Sequence, residues 1–214
     1  TTMKTISILT IACALLSGAG LAAQAQSITL GVYAGANIST VETTGGGTAS
    51  EHYGPIAGVA FEIGLMEALA FRAEVQYVQR GGTLELATTG STPLTTEYTL
   101  DYLEIPVNVR MNLNEGSPTF YVYGGTTLGT LMAATANRGD QTDQDVKSSF
   151  ETMTISLDAG GGVDVALSKV VHLRGDIRYN YALTDEARQQ QEFFKADSWK
   201  SRAIKAVAGL YFQF

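Results

Sequence analysis

From Val171 to Leu183 the chain alternates with a period of two between two chemically opposed faces. Val171, Leu173, Ile177, Tyr179, Tyr181 and Leu183, with Gly175, fall on one side, and His172, Arg174, Asp176, Arg178 and Asn180 on the other. Successive side chains of a strand point to opposite faces of its sheet, so this run predicts a strand with one apolar and one charged surface. Such a strand cannot be buried in apolar core on both sides. The same pattern sets Leu103, Ile105, Val107, Val109 and Met111 against Tyr102, Glu104, Pro106, Asn108, Arg110 and Asn112. It also sets Leu69, Phe71, Ala73, Val75 and Tyr77 against Arg72, Glu74, Gln76 and Arg80.

Read along the chain, alternating runs separated by Gly, Thr, Ser, Asn and Asp clusters predict eight antiparallel strands. They cover Ile28–Thr40, Tyr53–Leu65, Leu69–Arg80, Tyr98–Leu113, Thr119–Ala133, Ser149–Leu167, Val170–Leu183 and Trp199–Phe214. Between them, long connections (Val41–His52, Gly81–Glu97, Ala134–Ser148, Thr184–Ser198) alternate with short ones (Met66–Ala68, Asn114–Pro118, Ser168–Lys169). Thr184–Lys195 has the composition for a short helix within its loop. Outer-membrane barrels sort their connections in this way, with short turns in the periplasm, longer loops outside and an even strand number. The expected fold is therefore all-β, an eight-stranded antiparallel up-and-down transmembrane barrel over residues 26–214.

Alternation alone also fits a soluble barrel around a ligand cavity. Three features favour lipid outside. Small residues (Gly31, Gly35, Gly54, Gly58, Gly125, Gly129, Gly160, Gly162 and Gly209) gather on the polar face, as the inside of a narrow barrel requires. The apolar face places Phe71, Phe120, Phe212 and Phe214 at the short-turn end and Tyr77, Tyr179 and Tyr181 at the other, as two interfacial girdles. Finally, Ala206, Ala208, Leu210, Phe212 and Phe214 share one face of the last strand. Leu210, Phe212 and Phe214 resemble the C-terminal signal that the barrel assembly machinery reads.

The first 25 residues have the layout of a cleaved export signal: Lys4, an apolar run Ile6–Leu16, then Ala23-Gln24-Ala25. That run is shorter than the about 20 residues of a membrane-spanning helix. The only cysteine, Cys13, falls inside it, so no disulfide, thiol nucleophile or cysteine metal ligand is expected in the exported chain. A formal charge of -7 without a basic cluster argues against a nucleic-acid partner. The expected location is the outer membrane of a Gram-negative-type bacterium, with its lipid and assembly machinery as partners.

Eight strands enclose an interior just wide enough for side chains to fill, so inward charges must pair. Folding about the short turns sets Glu62 opposite Arg72 and Asp164 opposite Arg174, with Asp158 diagonal to Arg178. Glu74, Glu104, Arg110, Asp176 and Lys205 complete the expected inward network. A salt-bridge plug is the expected role, against the alternatives of an acid–base pair, an anion site or slow ion passage. His52 and His172 fall at opposite ends, so no shared triad or metal site can use both. No catalytic residue, cofactor or metal is expected. In the loops, Arg138-Gly139-Asp140 matches an integrin-binding tripeptide, and Asp140, Asp143 and Asp145 lack the pattern of an EF-hand. Both read as ordinary exposed loop.

Gly31-Val32-Tyr33-Ala34-Gly35-Ala36-Asn37-Ile38-Ser39 resembles the opening strand of the PorT-like outer-membrane β-barrel proteins. Tyr102-Leu103-Glu104-Ile105-Pro106-Val107, followed by Arg110 and Asn112, resembles their most recognisable segment, and Tyr121-Val122-Tyr123-Gly124-Gly125 and Gln76-Tyr77 through Gly81-Gly82 are similar to neighbouring strands. The resemblance implies an eight-stranded barrel of the OmpA and OmpX shape and carries no catalytic residues. One branch of that family takes part in protein secretion. Three functions are thus expected in turn: a structural or interaction role through four outer loops, a transport accessory (a small channel or a secretion-complex subunit), and a soluble ligand-binding barrel.

Overall fold

A computed structural model of the chain describes residues 27–43, 48–86, 94–138, 141–186 and 199–214. The expected export signal, residues 1–25 with Cys13, lies outside the described residues. Eight long strands are present among them: β1 Ser27–Thr43, β2 His52–Gly64, β3 Leu69–Leu86, β4 Leu94–Asn112, β5 Thr119–Arg138, β6 Met153–Ala166, β7 Val171–Ala182 and β8 Trp199–Gln213. Each pairs antiparallel with its neighbours in sequence. β8 then returns to β1 in continuous register, from Thr29 opposite Gln213 to Thr43 opposite Trp199, and the sheet closes into a barrel. At the seam Phe214 and Ile28 exchange backbone hydrogen bonds, 2.8 and 3.1 Å.

The short turns are held by their own side chains. In the β4–β5 turn Asn114 accepts the Phe120 N–H at 2.6 Å and donates to the Pro118 carbonyl at 2.9 Å. Gly116 there has φ +83°, a conformation open to glycine at little cost. In the β6–β7 turn the Ser168 hydroxyl accepts the N–H groups of Val170 and Val171.

The other end is more ordered than the sequence reading expected. β3 and β4 continue as a ladder to Leu86 and from Leu94, through most of Gly81–Glu97. Gly81 suggested a break, but it is a close approach: a Cβ there would lie 2.2 Å from the Tyr98 carbonyl oxygen. Thr48–Ser50 pairs with β3 inside the expected first loop, and Gln141–Asp145 folds back on the end of β5. The sixth strand starts at Met153, not Ser149, because Lys147–Ser149 form a 3-10 turn that leads Phe150 inward. Asp145 stabilises that turn by accepting the Lys147 N–H at 2.9 Å. A bulge places Tyr102 opposite Leu131 and Asp101 opposite Ala133, leaving Met132 over. Lys147 donates to the Met132 carbonyl at 2.6 Å. Of Thr184–Lys195, only Thr184–Glu186 is described, and it is irregular.

The two faces separate cleanly. On β4, Tyr102, Glu104, Asn108 and Arg110 are buried while Leu103, Val109 and Met111 are exposed. Apolar side chains cover the outside of every strand, far beyond the patch size that water tolerates.

Candidate functional site: the barrel interior and its two mouths

Period-two alternation delivers six cations into the lumen: Arg72, Arg80, Arg110, Arg174, Arg178 and Lys205. They sort into three bonded groups along the barrel, each with two cations and two carboxylates in ion pairs. Nearest the short turns, Arg110 meets Glu62 at 2.9 Å and Asp164 at 3.4 Å, and Arg174 meets Asp164 at 2.6 Å and Glu62 at 3.0 Å. His172 Nδ1 lies 2.7 Å from the other Asp164 oxygen. In the middle, Arg72 is paired with Glu74 and lies 3.4 Å from Asp176, while Arg178 bonds Glu74 at 2.5 Å and Asp176 at 2.7 Å. Beyond them, Glu104 takes Arg80 and also Lys205 at 2.7 Å, and Arg80 reaches Glu186 at 3.3 Å. Gln76 joins the last two groups: its carbonyl accepts from Arg178 at 3.4 Å and its amide donates to Glu104 at 2.5 Å.

The strand register agrees with the turn-based reading, but two partner assignments change. Asp164 is opposite Arg174 and bonded to it. Glu62 is likewise opposite Arg72, yet its bonds go to Arg110 and Arg174. Asp158 does not reach Arg178; it is held by Thr127 and, at 2.6 Å, by Asn180. Both corrections have one cause. An arginine is long enough to cross so narrow a lumen, so its carboxylate need not lie on the adjacent strand.

Residues outside the expected network are as deeply engaged. Arg80, Gln76 and Asn180 continue faces already read as polar, so alternation alone could have found them. The inward tyrosines carry the same signal. Tyr33 donates to Glu74 at 2.5 Å, Tyr121 and Tyr123 donate to Asp176 at 3.1 and 3.0 Å, and Tyr211 accepts from Arg72 at 2.9 Å. Their rings also lie under guanidinium groups, Arg110 at 4.1 Å from Tyr121 and Arg174 at 4.4 Å from Tyr211. Glycine makes room for them. A Cβ at Gly31 would meet the Tyr211 ring at 2.2 Å, and one at Gly160 would meet the Tyr123 hydroxyl at 2.5 Å. Glu186 carried no sequence signal, since it arrives from a loop. It is fully buried and accepts the Ser201 hydroxyl at 2.7 Å. Burial pushes its carboxyl above the ordinary glutamate value, against the pull of Arg80.

The mouths differ. At the short-turn end a polar cavity of about 490 Å³ runs down to Arg110, Arg174, Glu62, Asp164 and His172, with Asn112, Thr119 and Gln213 on its walls. At the other end Val78, Leu100, Leu131 and Phe150 fill the lumen above Tyr102, and Tyr98 meets Phe150 edge-on at 6.1 Å. The Glu151 N–H donates to the Glu186 carbonyl at 2.9 Å, which ties two outer loops together over this layer.

The histidines occupy opposite ends, His52 lying 3.6 Å from Glu97 at the outer end and His172 beside Asp164. Arg138 ends β5, whereas Gly139 and Asp140 lie outside the described residues. Asp143 has φ 54° and takes its backbone N–H to Asn137 at 2.7 Å. Leu210, Phe212 and Phe214 all face outward at the β1–β8 seam.

This fold has known counterparts. OprG of Pseudomonas aeruginosa, an outer-membrane protein, aligns over 89% of this chain and 97% of its own at 12% identity, with a TM-score of 0.51. Neisserial surface protein A aligns over 86% and 97% at 19% identity, with a TM-score of 0.48. No curated protein matches the sequence. The family model for the outer membrane protein beta-barrel domain matches residues 23–188, most of the chain, and with a closed eight-stranded barrel that is apolar outside and charged within, the chain belongs to that family.

Proposed function

We propose that this outer-membrane barrel is a filled, non-catalytic scaffold whose role is structural and interactive, exercised through its four outer connections. The observation that carries this reading is the lumen itself. Three ion-paired groups span it, and the apolar layer around Phe150 lies across its outer mouth. A permeant ion would have to displace paired charges and then cross that layer, and breaking one buried pair costs about 3–5 kcal/mol. Planar-bilayer recording of the purified protein tests this. No steady conductance is expected from wild type or from Arg174→Ala; reproducible unitary currents in wild type would overturn the reading.

A second reading, an accessory of a secretion complex, draws on the resemblance of Tyr102–Val107 to the PorT-like proteins. Co-purification of a stoichiometric envelope partner from detergent-solubilised membranes would favour it. In either case the residues are read as structural, since the two histidines are a barrel length apart and the buried carboxylates are engaged by cations or neutral donors.

A further inference from the structure

Among the described residues the lumen buries six cations and seven carboxylates. The three ion-paired groups match six of each, and Asp158 is left over. It is 4% exposed and is held only by neutral donors, the Thr127 hydroxyl and, at 2.6 Å, the Asn180 amide. Arg80 ends on the Asn180 carbonyl oxygen at 3.0 Å, and Arg72 is turned to Glu74 and Asp176. A buried carboxylate without a counter-charge is costly to keep ionised.

A second buried polar group points to the same place. Asn108 is 1% exposed, and neither its Oδ1 nor its Nδ2 has a hydrogen-bond partner in the protein. The strand register sets Asn108, Gly125, Asp158 and Asn180 in one row across β4, β5, β6 and β7. Gly125 puts no side chain between Asn108 and Asp158, and Asn108 Oδ1 overhangs it. A Cβ at Gly125 would lie 2.5 Å from that oxygen. Thr127, the next inward position of β5, gives its hydroxyl hydrogen to Asp158 and keeps oxygen lone pairs for another partner.

We infer that the Asn108–Gly125–Asp158 row is a binding site for one monovalent metal cation, of the sodium or potassium class, held as a fixed part of the plug. The donors it offers are the Asp158 carboxylate, Asn108 Oδ1 and the Thr127 hydroxyl, all oxygens, which suit a hard cation. Charge selects the valence. One positive charge brings the lumen into balance, whereas a divalent ion would leave an excess, and calcium asks for about six to eight oxygens. The ion is a counter-charge rather than cargo, so the inference rests on the filled-lumen reading and adds a component to it.

The test refolds the full chain from urea into neutral phosphatidylcholine vesicles across a sodium chloride series, with choline chloride holding the ionic strength constant. Above its dissociation constant, one bound ion lowers the unfolding constant about tenfold for each tenfold rise in sodium. Wild type is expected to follow that slope. Asp158→Asn, which keeps an acceptor for Thr127, and Asn108→Leu, which keeps the side-chain size, are expected to lose it. A change of gel migration on boiling confirms that each variant is folded. Crystals of the wild type grown with a thallium(I) salt should carry an anomalous peak bonded to Asp158 and Asn108, a readout that does not depend on any variant folding. A wild type indifferent to sodium, a slope that persists in either variant, or a thallium peak elsewhere in the lumen would each overturn the inference. Steady currents through wild type in planar bilayers would instead count against the filled lumen, which the sodium slope does not read.

Discussion

At one mouth of this barrel Arg110, Arg174, Glu62 and Asp164 form the floor of a polar cavity of about 490 Å³. At the other, Val78, Leu100, Leu131 and Phe150 pack with exposures of 0% or 1%. Both regions lie inside the same eight strands and use the same inward positions. What separates them is the source of the filling. The short-turn end is lined from strands and short turns alone, whereas the other end receives Phe150 and Glu186 from connections that fold back into it. An inward strand position therefore does not have to be polar in such a barrel. It is polar where water or a charged partner reaches it, and apolar where a loop supplies cover.

The largest contrast should appear in chemical access. Thr119→Cys, in the cavity wall, is expected to react rapidly with a small polar thiol reagent in the folded protein, and Leu131→Cys to stay unreactive until unfolding. Equal rates would remove the distinction between the mouths. The next contrast is in stability. Phe150→Ala takes a large side chain out of a packed layer and should cost about 3 kcal/mol. Arg174→Ala should cost less, about 1–2 kcal/mol, because Arg110 still pairs with Glu62 and Asp164 and both carboxylates line the cavity. Urea unfolding in lipid vesicles measures both, and the reverse order would show that the short-turn end, too, is dry.

The smallest effect concerns Glu186. Its folded carboxyl titrates above the ordinary glutamate value, chiefly through burial, so the folded chain holds that proton more tightly than the unfolded one. Its contribution to stability is therefore fullest at acid pH and declines as pH rises from the ordinary glutamate range through the raised value. Glu186→Gln should flatten that slope with a change of about 1 kcal/mol or less at neutral pH. Hydrogen exchange at the Glu151 amide, which bonds to the Glu186 carbonyl, reads it locally; an unchanged slope would mean that Arg80 rather than burial governs this carboxyl.

The fold was legible because the strand period is two and a one-residue slip would invert both faces. Two short turns were enough to set Glu62 opposite Arg72 and Asp164 opposite Arg174. Bonding was less legible than register, since an arginine chooses among carboxylates across the lumen as well as beside it. Arg72 turns to Glu74 and Asp176, and Glu62 is left to Arg110 and Arg174. The inward tyrosines lie on the polar parity of their strands, and the glycines beneath them, such as Gly31 under Tyr211, carry a second mark of that inward choice. Phe150 and Glu186 had no periodicity to betray them, coming from turns whose geometry depends on the barrel already being closed.

The closing pair Ile28 and Phe214 joins the first described strand to the last residue. Bringing ends so far apart in sequence together costs about 5 kcal/mol of chain entropy, none of which is recovered until the final strand arrives. A chain interrupted before β8 would keep two raw strand edges, on β1 and β7, and such edges invite pairing with other chains. Completion of this protein is thus a single topological event, and its last strand serves as the clasp that separates a finished barrel from an aggregation-prone ribbon.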